Sequence, residues 1–324
     1  MTSVAIIGAS GAVGREILFL LKERAFPLKN VSLFASPRSA GTEIDGHKIE
    51  TLTDLSRFDL LFFCAGAAVS REWIPKTKGF VVDSSSALRM EDDIPLIIPE
   101  INGHVLTRHH RIVSSPNCAA TVLLMPLFPV HRLYRVKRIV VSTYQAASGG
   151  GAQLQKQLEE ETKAHLANTH YPPLFSFPYA FNLYPHNSQL HDSGYVEEER
   201  KILYETRKIL QDPSIQLTAS CVRVPVLRAH SVAANVECHE AVSLSTIEAA
   251  WQKMPGLRLF EERALNRFAT PADATGLDDV LAGRLRLDMS QPKTIEFWSV
   301  GDQLRKGAAL NAVQIAEWWM RLKA

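Results

Sequence analysis

The opening of the chain constrains its fold more than any other stretch. Val4 to Ile7 is an apolar run that stops at Gly8, with further glycines at Gly11 and Gly14 and apolar residues at Ile17, Leu18 and Leu21 beyond. A short apolar run bounded by glycine predicts a buried strand, and the later spacing predicts a helix. Strand, glycine turn and helix in this order let the backbone turn sharply and approach a pyrophosphate, which then sits on the helix N-terminal amides. The spacing is GxxGxxG rather than GxGxxG. Gly8, Ser10, Gly11, Ala12 and Val13 are the candidate dinucleotide contacts; a plain glycine-containing turn is the competing reading, and the position between strand and helix favours the dinucleotide.

Further short apolar runs follow at Val31 to Ala35, Leu60 to Cys64 and Phe80 to Asp83. Alternation of such runs with helical segments predicts an open, doubly wound parallel sheet of Rossmann type. The end of the second run speaks to the dinucleotide. NAD binders usually place an acid there for the ribose hydroxyls. Here Ser36, Arg38 and Ser39 stand with no acid among them, a set that suits a 2′-phosphate. NADP is favoured over NAD, against the alternative of a solvated loop arginine.

At 324 residues, two domains are the natural expectation. A net charge of +2 gives no reason to expect a nucleic-acid or membrane surface, whereas a small anionic substrate needs only two or three placed cations. Four scattered cysteines fit a reducing compartment, no targeting pattern follows Met1, and the longest apolar stretches are too short to span a bilayer; the expectation is a soluble, cytoplasmic protein.

Beyond residue ~115 the texture changes to an α+β pattern. Arg135 to Tyr144 is β-rich, and a glycine cluster at 149–151 opens a helical segment through His165. A loop runs to Pro185, and a helix from about Val196 to Leu210 carries Glu197, Glu198 and Glu199 in its first turn, where acids suit the dipole. Strands are expected at Gln216 to Val224 and Ser231 to Cys238. Ser245-Thr246-Ile247-Glu248 has the form of a capping box, and Gly307 to Leu322 reads as an amphipathic helix.

Cys118 follows a strand-like Arg111 to Val113 and precedes an apolar helical run, which puts it at a helix N-terminus. The dipole and free amides there favour thiolate and can hold an oxyanion. Position alone leaves a buried packing cysteine equally open. Cys64, Cys221 and Cys238 lie in or at the ends of apolar strands and read as packing residues. A thiolate beside a nicotinamide points to acyl transfer coupled to hydride transfer, which needs an acid–base partner. His230, at a strand break beside Arg223 and Arg228, is the candidate. No His/Cys/Asp/Glu cluster has ligand spacing, so no metal is expected.

With these residues in hand, the chain resembles the aspartate-β-semialdehyde dehydrogenase family over nearly its whole length. The matching stretches are Gly8 to Gly14, Ala35 to Gly41, Asp83 to Met90, Pro116-Asn117-Cys118, Val141 to Ala146, Arg223 to His230 and Leu304 to Asn311. The resemblance implies NADPH-dependent reduction of L-aspartyl-4-phosphate to L-aspartate-4-semialdehyde and phosphate, feeding lysine, threonine and methionine synthesis. It implies that Cys118 forms an acyl-thioester, His230 is the acid–base residue and Gln145 positions the intermediate. Arg89 and Asn117 would serve the phosphate, Arg223 the α-carboxylate, and Glu198 and Lys201 the amino group and phosphate. Ser148, Gly149 and Gln303 would lie beside the cofactor. It further implies an NADP-binding domain of residues 1–120 and 305–324, a catalytic and dimerisation domain of residues 121–304, and a homodimer or homotetramer. Where the family usually has Ser-Thr after the cysteine this chain has Ala119-Ala120, which predicts altered rate or phosphate handling rather than loss of activity. The related N-acetyl-γ-glutamyl-phosphate reductase shares the scaffold, but Glu198 and Lys201 favour a substrate with a free amino group. A non-catalytic dinucleotide-binding paralogue would be expected to lack Cys118 or His230.

Overall fold

In the computed structural model, residues 1–323 are described, and the chain divides into two compact units: Met1–Asn117 with the segment from Gly307, and Cys118–Lys306. In the first, strands β1 (Thr2–Ile7), β2 (Leu28–Phe34), β3 (Glu43–Ile44), β4 (His47–Glu50), β5 (Leu60–Phe63), β6 (Phe80–Asp83) and β7 (Ile112–Ser114) form one sheet in the order β3-β4-β2-β1-β5-β6-β7. Pairing is parallel except in the β3–β4 hairpin. The winding reverses between β1 and β5, so a crevice opens beyond the carboxyl ends of these strands.

Alternation along each strand separates two cores. Val4, Ile6, Phe62 and Val82 face Ile17, Leu18 and Leu21 of α1 (Ala12–Glu23) and Val313, Ala316 and Trp319 of the C-terminal helix (Leu310–Lys323). Ala5, Ile7, Phe63 and Val81 face Leu55, Phe58 and Ile74 on the other side. With both faces covered, a strand must be apolar at every position, which is why these runs are continuous.

The second unit opens with α4 (Cys118–Tyr134), followed by β8 (Val136–Gln145), α5 (Ala152–Leu166), β9 (Tyr184–Pro185), α6 (Glu197–Leu210), β10 (Gln216–Arg223), β11 (His230–Cys238), α7 (Leu244–Lys253) and β12 (Leu257–Leu259), with α2 (Ala67–Trp73) and α3 (Pro99–Asn102) lying earlier in the first unit. A small hairpin, β13 (Glu261–Glu262) with β14 (Arg267–Phe268), precedes β15 (Val280–Leu287) and β16 (Thr294–Gly301). The sheet order is β12-β15-β16-β11-β8-β10-β9. Because β10 runs parallel to β8 while β11 is antiparallel to both β8 and β16, the ends at Gln145, Arg223, His230 and Gly301 share one edge.

Helix α4 is buried almost throughout although Pro126 and Pro129 interrupt its ladder. Pro126 has no N–H for the carbonyl of Val122; the Ser299 hydroxyl donates to that carbonyl instead, at 3.2 Å. The indole of Trp251 donates to the carbonyl of Pro126 at 2.9 Å. The α7 cap differs from the sequence expectation: Ser243, not Ser245, caps the helix by accepting from the Thr246 amide, and Glu248 instead pairs with Arg263. No helix among the described residues is long and apolar enough to cross a membrane.

Candidate active site

The glycine turn is built on close contacts. Gly8 has a φ of +95°, and a Cβ there would lie 2.8 Å from the backbone of Cys64 and Ala65. A Cβ on Gly14 would lie 2.5 Å from the carbonyl of Gly8, so the third glycine lets α1 start against the turn itself. Gly11 is the N-cap and supplies no side-chain acceptor. The first-turn amides of α1, at Ala12 and Val13, are thereby left for a ligand. The amides of Gly8 and Ala9 donate to the Phe34 carbonyl at 2.8 and 3.0 Å, which brings the end of β2 beside the turn. From there the chain enters the tight turn Ser36–Ser39, closed by a Ser39 amide to Ser36 carbonyl bond of 2.9 Å, with Arg38 exposed at its tip. These features fit a dinucleotide phosphate at the glycine turn and an added phosphate near Arg38.

Arg89 is buried in the same unit, its Nε donating to the carbonyl of Ser115 at 3.0 Å and its Nη2 to that of Ser84 at 2.9 Å. It is therefore tied to the loop that leads through Asn117, also buried, into Cys118. Asn311 of the C-terminal helix braces that loop, donating to Ser115 Oγ and to the carbonyl of Ile97, both at 2.9 Å. Nearby, Asp83 accepts from Ser70 and from the amide and hydroxyl of Ser85 at 2.9–3.0 Å. Burial holds its carboxyl above the usual range despite those bonds.

In the second unit Cys118 is the first residue of α4 and is partly exposed. The other three thiols are pushed up to about 12, chiefly by burial. As thiols they are inert at neutral pH. One turn beyond Cys118, Val122 packs on Gly301, where a Cβ would lie 2.8 Å from the valine methyl. Gly301 is the β16 partner of His230, so the first turn of α4 lies at the edge where His230 begins β11.

His230 is fully buried. Its Nδ1 accepts the Ala146 amide at 3.1 Å. An amide can only donate, so Nδ1 carries the lone pair and the neutral ring carries its proton on Nε2. That Nε2 is buried with no partner. Burial, then the Arg223 guanidinium, push the imidazolium pKa down to about 3. A Cβ on Gly149 would lie 2.9 Å from His230 Nε2 and 3.0 Å from Arg223 Nη1, so only glycine leaves both side chains in place. Ahead of His230, Ala229 takes a φ of +73°, held by its amide donating to Gln303 Oε1 at 2.7 Å. Gln303 also donates to Ser148 Oγ. The amides of Ala147 and Ser148 donate to the carbonyls of Val226 and Leu227 at 2.8 and 3.1 Å. Gln303 and Ser148 thus lock the loop that delivers His230. Asp302 pins the other side, accepting from Arg228 and the Gly276 amide at 2.7 Å each.

Arg223 is buried at the end of β10, donating from Nη1 to the Ala146 carbonyl at 2.7 Å, with His186 Nε2 2.8 Å from Nη2. Its Nε is buried without a partner. Of the three acids opening α6, Glu197 lies 2.9 Å from the ring of His191 and Glu199 accepts the Val196 and Cys221 amides at 2.9 and 3.1 Å. Glu198 alone turns inward, accepting from Gln145 Nε2 at 3.2 Å and lying 3.6 Å from Lys201 Nζ. Gln145, Ser148, Gly149, Glu198, Lys201, Arg223, His230 and Gln303 are therefore joined in one network of the second unit, while Gly8, Ser10, Gly11, Ala12, Val13, Ser36, Arg38, Ser39, Arg89 and Asn117 belong to the first. Sequence reasoning did not single out His186 or Asp302. His186 is brought in only by the two-residue pairing of β9 with β10, for which no local pattern exists.

Such an arrangement offers a half-exposed thiol at a helix start, a buried imidazole N–H, a buried guanidinium edge, and a carboxylate beside an ammonium. Comparison with known proteins gives the family. Residues 3–109 match the family described as semialdehyde dehydrogenase, NAD binding domain, and residues 124–306 match semialdehyde dehydrogenase, dimerisation domain. Both domains are those of a dinucleotide-dependent oxidoreductase acting at the aldehyde level. An aspartate-semialdehyde dehydrogenase of Synechocystis is 46% identical, covering 97% of this chain and 96% of its own. That of Bacillus subtilis is 35% identical with the same two coverages, 97% and 96%. Aspartate semialdehyde dehydrogenase II of Vibrio cholerae, solved in complex with ASA, is 37% identical, with a TM-score of 0.94 over 99% of this chain and 98% of that one. The chain belongs to the aspartate-semialdehyde dehydrogenase family.

Proposed function

We propose that the protein reduces L-aspartyl-4-phosphate with NADPH to L-aspartate-4-semialdehyde and phosphate through an acyl-thioester on Cys118, in the cytoplasmic synthesis of lysine, threonine and methionine. The observation that carries this reading is the pair of buried, partnerless donors, His230 Nε2 and Arg223 Nε, at one sheet edge. Buried polar atoms are almost always satisfied, so a site built with two open donors is built for an anionic or oxyanionic ligand.

The Cys118 thiolate attacks the acyl carbon, the carbon–oxygen bond to phosphate breaks, and phosphate leaves; the residues assigned to the phosphate are Arg89, Asn117 and Lys201. Gln145 holds the acyl group on Sγ. When bound, the dinucleotide supplies a hydride to the acyl carbon. Negative charge then develops on the carbonyl oxygen, and His230 Nε2–H donates to it until the carbon–sulfur bond breaks and thiolate returns. Because the Ala146 amide fills the Nδ1 lone pair, an imidazolium would set two hydrogens against each other. His230 therefore acts at the oxygen as a neutral donor rather than as the base that ionises Cys118. Arg223 takes the α-carboxylate, and Glu198 the α-ammonium, which favours a free over an acetylated amino group.

NADP selectivity is assigned to Ser36, Arg38 and Ser39. We assign a homodimer to the sheet face opposite the helices, where Tyr144 is exposed and Ala233, Asn235 and Trp298 stand only half-buried. Run in reverse, purified protein should reduce NADP at 340 nm only when both aspartate semialdehyde and phosphate are supplied. No signal with both present would overturn the reading, and a full steady-state rate without phosphate would remove the acyl-phosphate half of it.

A further inference from the structure

His186 sits between two donors. Its Nε2 is 2.8 Å from Arg223 Nη2, and its Nδ1 is 3.2 Å from the Ser188 amide. A guanidinium and an amide can only donate, and a neutral imidazole has one lone pair to offer. One of the two contacts is therefore unsatisfied in either tautomer. The charged partner at the shorter distance has the stronger claim, so in the empty site Nε2 accepts from Arg223 and Nδ1 carries the proton. Burial, joined by Arg223 and Lys201 against the opposing charge of Glu198, pushes the ring pKa down to about 4, so it stays neutral. The backbone is fixed as well: the His186 amide donates to the Cys221 carbonyl at 2.8 Å, two residues before Arg223.

Arg223 Nη1 is committed to the Ala146 carbonyl and its Nε is buried without a partner. Nη2 has two hydrogens. When His186 takes one, the other lies alongside Nε–H, the parallel pair that a carboxylate accepts side-on. Building on the carboxylate assignment above, we propose that His186 is a positioning residue for the substrate α-carboxylate. It holds the Arg223 fork with its Nε2 lone pair in the empty site. When the carboxylate binds side-on to Nε–H and the other Nη2 hydrogen, His186 keeps the first, so the fork stays aimed and the ring changes neither tautomer nor charge. No bond to substrate forms or breaks.

Wild-type reduction of NADP by aspartate semialdehyde and phosphate is the separate check on function. Against that rate, His186→Ala should raise the KM for aspartate semialdehyde about 10- to 100-fold, as loss of a hydrogen bond to a charged group does, with kcat changed far less. His186→Gln, whose amide both accepts and donates, should recover most of the loss, whereas His186→Leu should not. With 3-aminopropanal, the same aldehyde without the carboxylate, wild type and all three variants should react equally poorly. An unchanged KM in His186→Ala, a Gln variant as impaired as Ala, or the same fold-loss on 3-aminopropanal would each overturn the proposal.

Discussion

Gly149 shows how narrowly single atoms set this site. A methyl at that position meets a histidine pinned by the Ala146 amide and an arginine pinned by the Ala146 carbonyl, so neither can yield cheaply. Gly149→Ala should lower kcat/KM by about 10²-fold, the usual result of displacing catalytic groups by an ångström, with the thermal midpoint within a few degrees of wild type. Retained activity would mean that the two side chains have room to move. His230 carries a second prediction, on stability. Its folded pKa, about 3, lies below the ordinary value near 6.5, so between those pH values the unfolded chain binds the extra proton. Stability from this residue is present above about pH 6.5 and is lost as pH falls, with a limiting slope of about 1.4 kcal/mol per pH unit. His186 acts in the same sense toward about 4. His230→Gln should flatten the acid limb of a stability–pH curve measured by denaturant unfolding; an unchanged limb would contradict the buried neutral ring.

At the scale of elements, α4 keeps a helical path through two prolines because other elements supply the missing partners. Ser299→Ala leaves the Val122 carbonyl buried without a donor, at a cost of about 1–3 kcal/mol, and should lower the thermal midpoint while leaving KM for substrate unchanged. What could be read from the chain divides along similar lines. Strands β1, β5 and β6 were legible because burial on both faces makes them continuous apolar runs, and the glycine turn because Gly8 and Gly14 answer close backbone contacts; β4, with His47, Lys48 and Glu50 among its four residues, carries no such run. Strands β15 and β16 were not. Arg284, at a φ of +51°, sits in a register shift of β15 that breaks its alternation, and Glu296 interrupts the apolar run of β16. At the candidate site, Cys118 and His230 stand out in the chain by residue type and position, whereas His186 depends on a strand of two residues, and Ser243 takes the α7 cap because that helix starts at Leu244, two residues before a cap at Ser245 would start it.

For the molecule as a whole, the chain leaves the first unit between Asn117 and Cys118 and returns after Lys306, so Asn117, proposed for the phosphate, and Cys118, the proposed nucleophile, are consecutive in sequence but belong to different units. Cofactor choice is proposed to lie in the first unit: Arg38→Ala should raise the KM for NADPH by about 10-fold, one lost charge-assisted contact, and leave that for NADH unchanged. Assembly belongs to the second: sedimentation should give a dimer, and Trp298→Glu on the half-buried sheet face should give monomers. The proposed reaction turns on the Cys118 thioester. Protein mixed with aspartate semialdehyde and NADP without phosphate, then acid-quenched, should release one NADPH per chain and carry one aspartyl acyl group on the peptide containing Cys118, seen by mass spectrometry. Unmodified Cys118 after that burst, or the same burst in Cys118→Ala, would contradict it.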